Sequence, residues 1–399
     1  MSEQFGPLDF DRFHTADLPE RLAGGRAALF AASADRLKPI AFRLSDGRAY
    51  TYVPTGGGLK IVPGDEDAAT VVELAYDAWC DFVWELRTCF ALFYAEQLSF
   101  PRGGFGQLTR WEPALRAVFD GQAVYDLSGP PPVVDADGRP LDITRSFTLD
   151  DPDDVLRDFL NRAGFVHVRG VFDIDEVEKL RSEVDAAVAR ARPDDERSWW
   201  TTVDGKDVCN RVNYLNEQSS LIAALSDDPR LRRIGTLAGA ELRDAADRLD
   251  GHGVVIKVPG AATGLADLPW HRDCGMGGHP VKCPLLNVGI QLDAATAGSG
   301  QLQMIAGSHL GTSPLPTAEQ VQGLPTVAIT TQPGDVTAHY GHTLHAAPPP
   351  EDRSSAGRRA IYVTYVSPLT FEMVPPGKGY NDVLFTKDAG HVHHVDELR

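Results

Sequence analysis

From Gly253 onward the sequence is cut into short β-rich runs, VVIKV, LLNVGIQL, QLQMIA, TVAITT, DVTAHY and AIYVTYV, separated by Gly, Pro and Asp turn residues. A run of five or six residues cannot bury a core alone, so a series of them predicts strands collected into two sheets, a jelly roll. Ahead of these runs, DDVLRDFLNRAGFVHVRGVFDIDEVEKLRSEVDAAVARA predicts a helix, a strand FVHVRGVF, and a second helix capped by Asp173 or Asp175 and ending near Ala191. The expectation for residues 148–399 is a double-stranded β-helix core with flanking helices.

At 399 residues the chain exceeds one ordinary domain. Between Asp126 and Ile143 the text DLSGPPPVVDADGRPLDI breaks any periodicity with three consecutive prolines and Gly turns, as linkers do. We therefore expect a smaller N-terminal α+β domain over 1–127 and a linker over 128–147. Within that domain Asp17 to Ala32 has helical spacing, AFRLSDGRAYTYV alternates around an Asp46-Gly47 turn, and LKIV suggests another strand. Ala68 to Leu98 reads as long helical stretches rich in Trp, Phe and Leu, with Trp79, Phe82, Trp84, Phe90, Phe93 and Tyr94 as core or interface. This order of strands followed by helices weakly resembles sterol-carrier-type domains.

Acidic residues outnumber basic ones 56 to 38, and the formal charge of −18 argues against nucleic acid and anionic membranes as partners. Cys80, Cys89, Cys209, Cys274 and Cys283 lack CxxC spacing, which suits free thiols in a reducing compartment. No apolar run approaches the roughly 18 residues of a membrane span, and the N-terminus has no secretory pattern. The expectation is a cytoplasmic protein with a small-molecule partner; oligomeric state is not readable.

In LPWHRDCGMGGHP, His271 and Asp273 stand at i and i+2, which on a strand places both on one face and turns Arg272 away. A second histidine would complete a two-histidine, one-carboxylate set with open positions, the arrangement of non-haem iron oxygenases. HYGHTLHAAPPP offers His339, His342 and His345. His345 is the choice, since it follows the apparent strand at a short offset ahead of GRRAIYVTYV, whose Arg358 or Arg359 can hold a carboxylate bidentately. His339 and His342 read as supporting or merely polar, His309 as a turn residue, His279 as a loop residue, and His391, His393 and His394 as a solvated terminus. The glycines after Asp273 suggest a loop that closes over the barrel mouth.

PWHRD, GIQLDAATAGSGQLQMIAGSHLGTS and PGDVTAHYGHTLHAAPPP followed by RRA together resemble the phytanoyl-CoA dioxygenase family of iron(II) and 2-oxoglutarate dependent oxygenases, over about Asp150 to Pro368. The resemblance implies Fe(II) on His271, Asp273 and His345, with 2-oxoglutarate and O2 as co-substrates. It also implies Arg358 on the distal carboxylate of 2-oxoglutarate and Lys257 near it. The interval of 13 residues from His345 to Arg358 is slightly longer than the family's loop, and prolines replace its common GSGPN text, which leaves Arg358 and Arg359 as alternatives. Related halogenases lack the carboxylate ligand, so Asp273 points to hydroxylation, with desaturation or cyclisation open.

Trp199, Trp200, Arg211 and Asn213 in SWWTTVDGKDVCNRVNYLNEQ are candidate substrate walls, suited to an apolar body with a carboxylate or other polar group. The leading expectation is a dioxygenase that hydroxylates a C–H bond of a small lipid-like or secondary-metabolite molecule with release of succinate and CO2. Two alternatives are a lipid carrier with a non-catalytic metal site, and a cupin-like metal enzyme that does not use 2-oxoglutarate.

Overall fold

An Asp46-Gly47 turn, with Gly47 at φ +91°, closes the first hairpin between Ile40–Leu44 (β1) and Ala49–Thr55 (β2). The computed structural model describes residues 5–33, 37–261, 264–275, 285–354, 357–379, 388 and 390–393. The expected positions His279, Cys283 and His394, and most of the glycine-rich loop after Asp273, lie outside the described residues. The chain divides into two compact units, the first comprising Met1–Pro131 with Leu310–Pro316.

In the first unit, Gly58–Pro63 (β3) extends the hairpin. Thr70–Leu74 (β4) lies parallel to β1, and Leu98–Arg102 (β5) pairs antiparallel with β4, giving the order β3-β2-β1-β4-β5. This corrects the expectation of long helical stretches over Ala68–Leu98, whose first part is strand. TVVEL is a short β-branched run, and the free edge of β1 claims it. The helices that follow are short, Tyr76–Val83 and Cys89–Tyr94, and a longer helix, Phe105–Asp120, stops at Gly121 in the left-handed region. Trp79, Phe82 and Trp111 are buried, and the Trp111 indole N–H donates to the Lys38 carbonyl at 2.8 Å, so the largest apolar side chain carries no unpaired donor.

The second unit contains two sheets and supplies the remainder of the mixed α+β architecture. One sheet collects Phe165–Val168 (β6), Ser198–Val203 (β7), Lys206–Val212 (β8), Arg243–Asp244 (β9), Gly253–Lys257 (β10), Leu285–Gln291 (β12), Val336–Tyr340 (β15) and Arg358–Val366 (β17) in the order β6-β15-β12-β17-β10-β8-β7, with β9 on β17. The other runs β11-β16-β13-β14, from Leu268–His271 (β11), Gln303–Ile305 (β13), Thr326–Ala328 (β14) and His345–Ala347 (β16). The helix Ile174–Arg190 begins with a capping box between Asp173 and Glu176, which settles the choice between Asp173 and Asp175.

The larger sheet has two chemically different faces. Cross-strand partners share a face, so the register puts Leu286, Val288 and Ile290 of β12 with Val336 and Ala338 of β15 and Ile361, Val363 and Tyr365 of β17. All are buried. Helices cover this side: a Cβ on Gly235 of the helix Pro229–Gly235 would lie 2.4 Å from the Tyr365 ring, so a residue without a side chain lets helix and sheet approach. The opposite face carries Asn287, Gly289, Gln291, Thr337, His339, Arg358, Tyr362 and Thr364. Polar groups buried on that scale must find partners or ligands.

At the β7 edge Gly390 and His391 are docked, which corrects the reading of His391 as part of a solvated terminus. The Trp200 N–H donates to the Gly390 carbonyl at 2.8 Å, and His391 pairs in parallel with Trp200.

Ile361 is fully buried on the apolar face, and truncating such a side chain costs about 2–5 kcal/mol. Ile361→Ala is expected to lower the unfolding free energy by that amount, read as a shifted denaturant midpoint with an unchanged slope.

Candidate metal centre

His271 closes β11 and His345 opens β16, and the two are direct cross-strand partners with ring centroids 4.1 Å apart. In each ring Nδ1 faces a carbonyl two residues back on its own chain, Pro269 at 2.7 Å and Thr343 at 2.9 Å. A carbonyl only accepts, so Nδ1 carries the proton and Nε2 keeps its lone pair, the tautomer that a metal requires.

Asp273 lies beyond the end of β11. Its place on the side of His271 therefore does not come from strand pleating: its backbone N–H donates to the Gly341 carbonyl at 2.7 Å, which turns the chain inward. Its Oδ1 stands 3.4 Å from His271 Nε2 and its Oδ2 3.5 Å from His345 Nε2. One ligand atom from each of the three residues falls within 4.8 Å of the others, and among the described residues no other group of three His, Cys, Asp or Glu side chains does so. Arg272 points elsewhere, its Nε donating to the His342 carbonyl at 3.0 Å.

Burial pushes the His345 imidazole well below its usual range, and His271 adds to this against the pull of Asp273. Burial alone would raise the Asp273 carboxyl, yet His345, His271 and His339 around it hold it well below the usual carboxylate range. Neutral imidazole beside ionised carboxylate is the protonation state of a ready ligand set.

Parity separates the two arginines. Arg359 points to the apolar side and bonds Asp293 and Asp185 at 2.8 and 2.5 Å. Arg358 is 2% exposed on the polar face, and its Nε donates to the Gly300 carbonyl at 2.7 Å. Its Nη1 and Nη2 are buried without a hydrogen-bond partner of good geometry among the described residues, and the Tyr362 hydroxyl is the neighbour close enough for a weak hydrogen bond to the guanidinium. Lys257 is the register partner of Arg358, and its ammonium donates to the carbonyls of Ala266, at 2.7 Å, and Ala347. Burial, with Arg358 alongside, pushes this ammonium down to about 7.

The four substrate candidates do not converge. Arg211 stacks on Trp199 with its guanidinium carbon 4.4 Å from the ring centroid, and its Nε donates to Asn213 Oδ1 at 2.8 Å. Trp200 instead lines a groove of about 520 Å³ with Thr202, Asp207, Asp388, His391 and His393, which includes none of His271, Asp273, His345 or Arg358. Asn287 and Tyr362 were not singled out in the sequence, although the alternation of Asn, Gly and Gln through LNVGIQL marks a polar face within an apolar strand.

The phytanoyl-CoA dioxygenase (PhyH) family model matches residues 160–360, half of the chain. The chain belongs to this family. It is thus an enzyme of the non-haem iron class that uses Fe(II), 2-oxoglutarate and O2. No curated protein matches the sequence. Among solved structures, AviO1 from Streptomyces viridochromogenes Tue57 is similar at 24% identity over 56% of this chain and 97% of its own, with a TM-score of 0.45. The epimerase SnoN from nogalamycin biosynthesis is similar at 21% identity over 54% and 82%, with a TM-score of 0.43. EctD from S. alaskensis with bound Fe is similar at 19% identity over 60% and 84%, with a TM-score of 0.45.

The side chains fit these cofactors. Two imidazole Nε2 atoms and one carboxylate suit ferrous iron, and a buried guanidinium with two unengaged nitrogens suits a carboxylate. Among the described residues no helix is long and apolar enough to cross a membrane, and Cys80, Cys89, Cys209 and Cys274 form no disulfide.

A Cβ on Gly341 would lie 2.8 Å from Leu285 Cδ2 and 2.9 Å from Cys274 Sγ, forcing apart the backbone that carries Asp273. Gly341→Ala is expected to weaken Co(II) binding about 10-fold, within the range for disturbed metal-ligand support, and His345→Ala to abolish it, both read by titration of the metal-free protein.

Proposed function

We propose that this chain is an Fe(II)- and 2-oxoglutarate-dependent hydroxylase of a C–H bond in a small organic molecule, with His271, Asp273 and His345 holding the iron and Arg358 the distal carboxylate of 2-oxoglutarate. The observation that carries the reading is the meeting of these three side chains, together with a buried arginine on the polar face of the larger sheet whose outer nitrogens lack a hydrogen-bond partner among the described residues. The intact Asp273 favours hydroxylation over halogenation. When bound, iron and 2-oxoglutarate supply the oxidant that removes hydrogen from the substrate, with succinate and CO2 released.

Each protein group has a stated task. The carbonyls of Pro269 and Thr343 hold the imidazoles in their ligand tautomer. Lys257 adds a second cation beside Arg358, which suits a dianion, while its bonds to Ala266 and Ala347 tie the approach to β11 to the end of β16. Arg211, Trp199 and Asn213 form the substrate wall, offering an aromatic face and a polar end. Trp200 belongs to the other groove and has no part in this assignment. We assign residues 148–399 as the catalytic domain, 1–127 as a separate α+β domain of sterol-carrier type and 128–147 as the linker, a division supported by the two compact units. The substrate is a small molecule handled in the cytoplasm.

Anaerobically loaded iron with 2-oxoglutarate, then O2, should yield slow succinate formation without added substrate; its absence from iron-loaded protein would overturn the reading. A charge-assisted contact contributes about 1.5–3 kcal/mol. Arg358→Ala should therefore raise the KM for 2-oxoglutarate roughly 10- to 150-fold, and Arg359→Ala should leave it unchanged.

The Lys257 ammonium titrates at about 7, and an anion bound beside it favours the protonated form. Affinity for 2-oxoglutarate should accordingly be fullest below about pH 7 and fall as pH rises through it. Lys257→Met should flatten that profile, measured by calorimetric titration with the metal-loaded protein held from oxygen.

A further inference from the structure

Of the three ligand candidates, Asp273 alone sits outside a strand. His271 and His345 are fixed by pairing with each other across β11 and β16. Asp273 lies past the end of β11, where its backbone N–H bonds the Gly341 carbonyl, so strand pairing does not set the rotation of its carboxylate.

That hold comes from the larger sheet. Asn287 Nδ2 lies 2.6 Å from Asp273 Oδ2. An ionised carboxylate only accepts, so Asn287 must present its NH2, and its own Oδ1 must then meet a donor. Thr364 Oγ1 meets it at 2.8 Å. His339 Nε2 stands 3.4 Å from the same Oδ2, a looser contact, and the His339 side chain is 2% exposed. Asn287 is the register partner of His339 on one side and of Thr364 on the other. His339, Asn287 and Thr364 thus form one transverse row across β15, β12 and β17, on the polar face and directly against Asp273. His339 itself is no alternative ligand, since it does not join the group whose ligand atoms lie within 4.8 Å of one another.

We propose that this row is a positioning device for the metal-binding carboxylate: Asn287 fixes the rotation of Asp273 before the metal arrives, Thr364 fixes the polarity of Asn287, and His339 closes the other side. The proposal rests on the reading of Asp273 as a ligand. Asn287 and His339 meet Oδ2, which also stands 3.5 Å from His345 Nε2, while Oδ1 faces His271 Nε2 at 3.4 Å. A carboxylate already turned loses no rotational freedom on binding, so removing a member of the row should appear as weaker metal affinity even where the fold is intact.

The experiment titrates Co(II) alone into metal-free protein, with the melting temperature of the metal-free form recorded for each variant. Removing support of this kind typically costs 10- to 100-fold in affinity. Asn287→Leu is expected to lose roughly that much, and Thr364→Val, which keeps shape and removes the donor, about 3- to 10-fold. Thr364→Ser restores the hydroxyl and should bind like the parent. Thr337→Val, on the same face but bonded to Gln291, should also bind like the parent. If Asn287→Leu does not fold, the Thr364 pair decides. Thr364→Val and Asn287→Leu binding Co(II) as tightly as the parent, while His345→Ala loses it, would overturn the positioning role and leave the ligand reading standing. A parent protein that binds no Co(II) would overturn both.

Discussion

A buried sheet face made of polar side chains is costly, and the second unit commits the inner side of β12, β15 and β17 to one. The cost is met largely within the face. Asn287 takes Thr364, Gln291 bonds Thr337 and the Gly289 carbonyl, and Arg358 reaches the Gly300 carbonyl. Lys257 satisfies itself on two carbonyls. On this face Arg358 Nη1 and Nη2 and His339 Nδ1 lack a hydrogen-bond partner among the described residues, at separate levels of the sheet. Tyr362 lies on the same face: its ring occupies space that a Cβ on Gly289 would fill, 2.8 Å from Cε1, so the glycine in LNVGIQL is the gap into which this phenol lies.

Division of labour between the sheets follows. The smaller sheet brings His271 and His345 together by strand pairing, a rigid and local device. The larger sheet approaches from the other side, through Asn287 and His339, to the carboxylate that strand pairing does not reach. Both imidazoles are oriented by carbonyls of their own chain, so their tautomer survives changes elsewhere in the site. Asp273 is held by a side chain on β12, the strand next to the one that carries Arg358, which ties this carboxylate to the packing of the inner face.

Much of this was legible in the sequence because period and parity survive in the text. The β-rich runs after Gly253 appear as strands, and the alternation in RRAIYVTYV separates Arg358 from Arg359. Where local text competes with tertiary edges, the sequence misleads. TVVEL sits in a helix-rich stretch and becomes a strand only because β1 has an open side. HRD reads as three strand residues, yet β11 ends at His271 and Asp273 is placed by Gly341, far downstream in a contact that no local pattern encodes. Asn287 and Thr364 are opaque for the same reason. Each is an ordinary polar residue in a strand, and only the register between β12 and β17 puts one hydroxyl behind one amide. Trp199 and Trp200 are adjacent in text and serve different surroundings, since a register shift falls between them where β7 meets β8.

The arginine pair shows how far one residue of parity reaches. Arg359 meets two carboxylates, Asp293 first, and its guanidinium is held above its ordinary value, as a satisfied surface cation is. Arg358, one step along the same strand, is pulled below its ordinary value by burial, with the Tyr362 phenol opposing that pull most. A buried cation without a carboxylate partner is unfavourable in the free protein and becomes favourable when an anion arrives. Lys257 beside it is driven toward its neutral form by burial and by Arg358 itself, so an anion placed at this corner would relieve both strains at once.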